Sequence, residues 1–122
     1  MSTRNIYLFV DDSRVSRMKI RQIAAQSHPD WELLEAASGQ EAHDMTCTVT
    51  PDLISMDINM PGMSGIEAIE GLRKNCPNAK IVLLSGNIQD DMRARAQALG
   101  LGFVEKPVTP ASMAQVMVHA RQ

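Results

Sequence analysis

The fold of this chain is decided by one short stretch, Ile6-Tyr7-Leu8-Phe9-Val10-Asp11-Asp12, in which an apolar run stops abruptly at two carboxylates. A continuous apolar run of this length is typical of a parallel β-strand that helices cover on both faces. Similar runs recur, so that the predicted strands span residues 5–10, 31–36, 52–56, 80–84 and 102–104. A helical pattern follows each of them, which predicts a (βα)5 chain folded as a three-layer α/β structure around a doubly wound parallel sheet. The run at 31–36 is the most polar and indicates an edge strand.

Length and composition narrow the possible classes of protein. With 122 residues, 44% of them hydrophobic, the chain is expected to form a single domain over residues 1–122, without a second catalytic or DNA-binding domain. The formal net charge of −2 offers no positive field for nucleic acid or anionic lipid. No apolar run approaches the about 20 residues of a membrane span, and Cys47 and Cys76 lack metal-ligand spacing. We therefore expect a cytoplasmic protein with reduced thiols that contacts neither nucleic acid nor membrane directly.

Helix boundaries are marked by residues that cap or break helices. Ser38 with Glu41 and Ser64 with Glu67 fit the capping box, in which a hydroxyl and a carboxylate satisfy the first backbone amides. Two further starts are predicted at Asn87 and at Thr109-Pro110. The predicted stops are Ser27-His28-Pro29, Thr50-Pro51, Asn75-Cys76-Pro77 and Gly100.

Acidic residues follow the first and third predicted strands, where Asp11-Asp12 and Asp57 stand. Ligands of such folds bind outside the carboxyl ends of the strands, so these three side chains are expected to converge. Carboxylates held this close repel one another unless a cation neutralises them. An oxygen-only set with open positions suits Mg²⁺, which usually keeps several waters and also binds phosphate oxygens.

The fourth and fifth predicted strands bring a hydroxyl, Ser85, and an ammonium, Lys106, to the same edge. These are the groups needed to hold two further oxygens of a phosphoryl group. An aspartate can itself act as the nucleophile in phosphoryl transfer, forming an acyl phosphate. Asp57 is the best candidate because it stands at the end of the central strand, before the turn at Met60-Pro61-Gly62. The sequence therefore predicts a phosphoryl-transfer site.

Four motifs at these strand ends resemble those of response-regulator receiver domains of the chemotaxis (CheY-like) type, and the resemblance covers essentially the whole chain. They are Val10-Asp11-Asp12-Ser13-Arg14, Met56-Asp57-Ile58-Asn59-Met60-Pro61-Gly62-Met63-Ser64-Gly65, Leu84-Ser85-Gly86-Asn87 and Lys106-Pro107. The resemblance implies the flavodoxin-like strand order 2-1-3-4-5. It also implies transfer of a phosphoryl group from the phosphohistidine of a histidine kinase to Asp57. Ser85 and Lys106 would bind the phosphoryl oxygens, and Mg²⁺ would be held by Asp11 or Asp12, by Asp57 and by the backbone carbonyl of Asn59.

The same resemblance implies that the protein is a signalling phosphoacceptor, which catalyses only its own phosphorylation and dephosphorylation. Asn59 and Asn87 would flank the water path to the acyl phosphate and tune its lifetime. Ser85 and Phe103 would form the switch, although Phe103 stands where family members often carry Tyr, and Gly86 where they often carry Ala. Phosphorylation would then reach a partner surface on the fourth helix, fifth strand and fifth helix, with contacts at Arg93, Gln97 and Val118. A kinase-docking face on the first helix would comprise Arg14, Val15, Met18, Arg21 and Gln22.

Other functions compete with this interpretation. A haloacid-dehalogenase-type phosphatase also uses an aspartate nucleophile, but on the first strand, in an Asp-x-Asp motif; here Asp57-Ile58-Asn59 follows the third strand and lacks the second acid. A flavodoxin-like electron carrier needs a phosphate loop after the first strand, where Asp11-Asp12 would repel the phosphate. Within the receiver family, the sequence leaves open whether the protein binds a downstream target or passes the phosphoryl group on to a histidine phosphotransfer domain as a phosphorelay shuttle.

Overall fold

A single parallel sheet forms the centre of the molecule in the computed structural model, which describes residues 5–57, 65–85, 94 and 96–119. Its strands are β1 (Ile6–Val10), β2 (Glu32–Ala36), β3 (Leu53–Asp57), β4 (Lys80–Ser85) and β5 (Gly102–Glu105). They lie in the order β2-β1-β3-β4-β5, and every neighbouring pair is parallel. The five predicted strands are confirmed to within one residue at each end, and so is the strand order that the resemblance implied.

Helices cover both faces of the sheet and form the two outer layers of the three-layer structure. They are α1 (Arg14–Ser27), α2 (Gly39–Met45), α3 (Gly65–Asn75) and a C-terminal helix (Pro110–His119). Buried residues of α2 and α3 pack with one face of the sheet, and those of α1 and the C-terminal helix pack with the other. None of the helices in the described part of the chain combines the length and the apolar character needed to cross a membrane.

Strand β1 shows why its sequence is apolar without alternation. Leu8 and Val10 belong to the core beneath α2 and α3, whereas Tyr7 and Phe9 belong to the core beneath α1 and the C-terminal helix. Successive side chains point to opposite faces of a strand, so both sets must be apolar when both faces are covered. By contrast, Glu32 on β2 is exposed, as expected of the edge strand that the sequence predicted.

Two of the predicted helix starts are confirmed by hydrogen bonds. The Ser38 hydroxyl accepts the Glu41 N–H at 3.1 Å, and the Glu41 carboxylate accepts the N–H of Ala37 at 3.3 Å. At the C-terminal helix, the Thr109 hydroxyl accepts the Ser112 N–H at 3.1 Å, and Ser112 Oγ accepts the Thr109 N–H at 2.9 Å. The reciprocal pairs satisfy backbone amides that no helical carbonyl can reach. The predicted caps at Ser64 and Asn87 lie outside the described residues.

The predicted helix between β4 and β5 is described at residues 94 and 96–98 only, and it ends at Gly100 as predicted. Gly100 has a φ of 72°, a backbone conformation that residues with a Cβ rarely adopt. The Gly100 N–H donates to the Gln97 carbonyl at 3.0 Å, and the Leu101 N–H donates to the Ala96 carbonyl at 2.8 Å. This is the pair of hydrogen bonds that closes a helix in a Schellman motif and turns the chain into β5.

Helix α2 ends earlier than its predicted stop at Thr50-Pro51. Its last residue is Met45, and the hydroxyl of Thr46 donates to the carbonyl of His43 at 2.9 Å. The Thr48 hydroxyl likewise donates to the Met45 carbonyl at 3.2 Å. Side-chain donors that satisfy the last carbonyls allow the helix to end without proline.

One hydrogen bond joins two strands inside the core. The Tyr7 hydroxyl on β1 and the Ser55 hydroxyl on β3 lie 2.6 Å apart, and both side chains are fully or almost fully buried. Burial raises the pKa of Tyr7 well above its ordinary value, and the hydrogen bond with Ser55 offsets only part of that effect. The phenol is therefore neutral at physiological pH, and each hydroxyl satisfies the other.

We expect Tyr7→Phe to lower the free energy of unfolding by about 1–3 kcal/mol, because it leaves the buried Ser55 hydroxyl without its partner. The double variant Tyr7→Phe/Ser55→Ala removes both polar groups. Its loss of unfolding free energy should be smaller than the sum of the losses of Tyr7→Phe and Ser55→Ala. Urea unfolding of the four proteins measures the difference. Strictly additive losses would show that the two hydroxyls do not depend on each other.

Candidate functional site

Three carboxylates meet at the carboxyl edge of the sheet. Asp57 is the last residue of β3, and Asp11 and Asp12 directly follow β1, the parallel neighbour of β3. One carboxylate oxygen of each lies within 4.8 Å of the others. Asp11 is only 1% exposed and Asp57 only 6%, whereas Asp12 is exposed. The structure thus brings together the three acids that the sequence singled out.

Lys106 reaches this acidic cluster from the residue that follows β5. Its ammonium donates to Asp11 Oδ2 at 2.8 Å and to Asp57 Oδ2 at 3.3 Å. Burial lowers the pKa of Lys106, but the hydrogen bond and charge of Asp11, together with those of Asp57, outweigh burial and raise it above the usual lysine value. The side chain is therefore protonated at neutral pH, and it lies between two buried carboxylates.

The donor set fits a magnesium ion. One ammonium among three carboxylates leaves two uncompensated negative charges at this edge of the sheet. The oxygens converge, and the exposed position of Asp12 leaves room for water, which Mg²⁺ retains in most protein sites. Asp11, Asp12 and Asp57 are therefore the side chains that could hold the ion, and the predicted carbonyl ligand, Asn59, lies outside the described residues.

The other residues that the sequence predicted to bind phosphate or to form a switch lie on β4 and β5. Ser85 is the last residue of β4, and its side chain is outside what the structure describes. Its neighbour Leu84 pairs with Asp57 across the two strands, so the Ser85 backbone lies at the edge where the acids meet. Phe103 is half-buried on β5 and packs against the core beneath α2 and α3.

The predicted partner and dephosphorylation residues are described only in part. Gln97 is exposed, and so is Val118, half of whose surface is accessible. Asn59, Asn87 and Arg93 lie outside the described residues.

The predicted docking face on α1 divides into two groups. Arg14 and Gln22 are exposed. Val15 and Met18 are large apolar side chains of α1 that are also exposed, with 62% and 61% of their surface accessible to solvent. Arg21 is different, because its guanidinium is paired with Glu35 on β2 at 2.9 Å.

Two residues of this region were not predicted from the sequence. Arg17 Nε pairs with Glu35 Oε1 at 2.9 Å, and Arg17 Nη1 donates to the backbone carbonyl of Asp11 at 2.6 Å. Burial raises the pKa of Glu35, but hydrogen bonds from Arg21 and Arg17 outweigh it and lower the pKa below its usual value. The sequence offered one signal for this pairing: Arg17 and Arg21 are spaced i, i+4 on α1, and Glu35 is a carboxylate near the end of the β2 run.

Comparisons with known proteins agree with this geometry. The family model of the response regulator receiver domain matches residues 7–118. The chemotaxis protein CheY of Thermotoga maritima is 36% identical over 112 residues, which cover 90% of this chain and 92% of that protein. The response regulator VraR of Staphylococcus saprophyticus is 35% identical over 90% of this chain, but the chain spans only 53% of VraR.

A solved structure shows the same fold. The crystal structure of the chemotaxis protein CheY4 of Vibrio cholerae superposes with a TM-score of 0.86 at 25% identity, covering 97% of this chain and 99% of that one. With the strand order and the family match, this likeness shows that the chain belongs to the response regulator receiver family, as a CheY-like receiver domain of a two-component system.

Proposed function

We propose that Asp57 accepts a phosphoryl group from the phosphohistidine of a histidine kinase or of a histidine phosphotransfer domain. A bond forms between an Asp57 carboxylate oxygen and phosphorus while the bond from phosphorus to the histidine nitrogen breaks, and that nitrogen keeps the electron pair. The observation that carries the proposal is the contact of one ammonium with two buried carboxylates, Asp11 and Asp57. Such a pre-formed cation is what an incoming phosphoryl group needs, because transfer depends on positioning and charge neutralisation.

Receiver domains bind Mg²⁺ through acidic residues, and in this chain Asp11, Asp12, Asp57 and the carbonyl of Asn59 are the proposed ligands. When bound, the ion neutralises charge on the phosphoryl oxygens. Asp57 supplies the nucleophilic oxygen, and its buried position limits access of water to the product. Asp11 holds the ammonium of Lys106 beside the reacting carboxylate.

The proposed output is a change of surface that follows phosphorylation. The modification adds about −1.5 to −2 charges and strong acceptor oxygens at Asp57. Lys106 is already within reach of that carboxylate, and Ser85 stands at the end of the neighbouring strand. We propose that both bind the phosphoryl oxygens, and that Phe103 moves inward as Ser85 leaves its place.

The proposed role is that of a signalling phosphoacceptor rather than an enzyme acting on other molecules. The match over 92% of a chemotaxis protein supports a receiver that binds a downstream protein through the face formed by the helix before β5, β5 itself and the C-terminal helix. Gln97, on the helix before β5, and Val118, on the C-terminal helix, are exposed, and they are the proposed contacts of that partner.

Mg²⁺ alone should raise the melting temperature of the wild-type protein, because a ligand that binds only the folded state stabilises it by about 2.7 kcal/mol at 100 times its Kd. Asp11→Asn removes a proposed ligand and should lose most of this gain. Asp44→Asn is the matched control, because Asp44 is exposed on α2 and outside the acidic cluster. Differential scanning fluorimetry measures the melting temperatures. If Mg²⁺ raises the melting temperature of wild type and of Asp11→Asn equally, Asp11 is excluded as a ligand.

With Mg²⁺ and acetyl phosphate, the protein should gain one phosphoryl group on Asp57 and lose it in alkali, as an acyl phosphate does. Intact-mass measurement should show labelling of wild type and Asp44→Asn, and none of Asp57→Asn. Excess EDTA should abolish the labelling, because the incoming dianion then meets two uncompensated negative charges. Undiminished labelling of Asp57→Asn would place the phosphoryl group elsewhere.

Ser85→Ala and Lys106→Ala should still accept phosphate, more slowly, yet transmit a weaker response. Shifting a two-state equilibrium from 1:99 to 99:1 takes about 5.5 kcal/mol, and one charge-assisted hydrogen bond contributes about 1.5–3 kcal/mol. Amide chemical-shift changes induced by beryllofluoride should therefore shrink at Phe103 and Gln97 in both variants. Lys80→Ala, at the other end of β4, is the control. Shifts as large as those of wild type would show that the response runs through other residues.

A further inference from the structure

In the turn between β1 and α1, every polar group of Asp11 makes a hydrogen bond. Its N–H donates to the Ala36 carbonyl at 3.1 Å, and Oδ1 accepts the Ser13 N–H at 2.8 Å. Oδ2 accepts Lys106, and the backbone carbonyl accepts Arg17 Nη1 at 2.6 Å. Of these contacts, the one from Arg17 is the only one made by a side chain of α1, since Ser13 contributes a backbone amide and precedes that helix.

Arg17 is itself fixed by Glu35. Its Nε lies 2.9 Å from Glu35 Oε1, and the other carboxylate oxygen of Glu35 is held by Arg21 at 2.9 Å. Glu35 directly precedes Ala36, the residue that accepts the Asp11 N–H. The guanidinium therefore joins the end of β2 to the backbone of Asp11, and its planar fork allows both contacts at once.

We infer that Arg17 is a positioning residue that aligns Asp11 and Asp12 for the cation of the proposed phosphorylation site. The inference rests on the proposed function, because it takes these two acids to be metal ligands. Outer groups that orient a metal ligand are commonly worth 10–100-fold in metal affinity. Within the described part of the chain, the Arg17 guanidinium contacts Glu35 and the carbonyl of Asp11, and we infer that it acts through that carbonyl.

Charge alone predicts the opposite effect. A guanidinium near the site repels a divalent cation, so its removal would tighten Mg²⁺ binding if Arg17 acted only through its charge. A positioning role predicts weaker binding when the contact to the Asp11 carbonyl is lost. The sign of the change in affinity therefore separates the two roles.

The experiment measures the Mg²⁺ dissociation constant by isothermal titration calorimetry. Arg17→Gln should raise the constant about tenfold or more. Arg17→Lys should also raise it, because a lysine keeps the charge but cannot contact Glu35 and the Asp11 carbonyl together. Arg21→Gln is the matched comparison: it removes the same charge and a contact to the same carboxylate, but no bond to Asp11, so its effect should be much smaller. Arg17→Lys carries the test if Arg17→Gln does not fold.

A second measurement needs no metal. In EDTA, hydrogen exchange at the Ser13 amide, whose acceptor is Asp11 Oδ1, should be faster in Arg17→Gln than in Arg21→Gln. Equal exchange and equal dissociation constants in these two variants, or tighter Mg²⁺ binding by Arg17→Gln, would overturn the inference. Failure of the proposed function gives a different result, in which wild type binds Mg²⁺ but gains no phosphoryl group on Asp57.

Discussion

The contact of Lys106 with Asp11 and Asp57 is the constraint on which the site depends. Strands β1 and β3 are parallel neighbours at the centre of the sheet, so the residues at their carboxyl ends stand side by side and almost fully buried. Two carboxylates in such a place repel each other and lack water to disperse their charge. The ammonium, delivered from the end of β5, makes the arrangement stable and leaves enough negative charge to attract a divalent cation.

The acids at this edge differ in how firmly they are held. Asp11 has a partner at its amide, its carbonyl and both carboxylate oxygens, whereas Asp12 is exposed. As proposed ligands, the rigid Asp11 would fix the position of a bound cation, and the exposed Asp12 could turn between water and the cation without disturbing the core. In the proposed phosphoryl transfer, positioning supplies much of the rate, so the network behind Asp11 would serve function as well as stability.

Sequence reasoning reached the strands and the acidic cluster because both follow from local patterns. Apolar runs such as Ile6–Val10 predict buried parallel strands, and the carboxyl ends of such strands share one edge. The contact of Arg17 with Glu35 was not predicted, because the i, i+4 spacing of Arg17 and Arg21 does not say which carboxylate they pair with. It depends on the packing of α1 over the edge strand β2, and a glutamate in an edge strand looks like an ordinary solvated residue. The early end of α2 was missed for a different, local reason: the Thr46 hydroxyl donates to the His43 carbonyl three residues back, so the helix ends without proline.

A double-mutant cycle in metal-free solution tests the central claim most directly. Lys106→Met is introduced into wild type and into Asp57→Asn, and the free energies of unfolding are measured by urea titration in EDTA at neutral pH. The account predicts that Lys106→Met costs more unfolding free energy in wild type than in Asp57→Asn, by about 1 kcal/mol or more. In wild type, removal of the ammonium leaves two buried carboxylates that face each other, whereas in Asp57→Asn it leaves one. An equal loss in both backgrounds would contradict it.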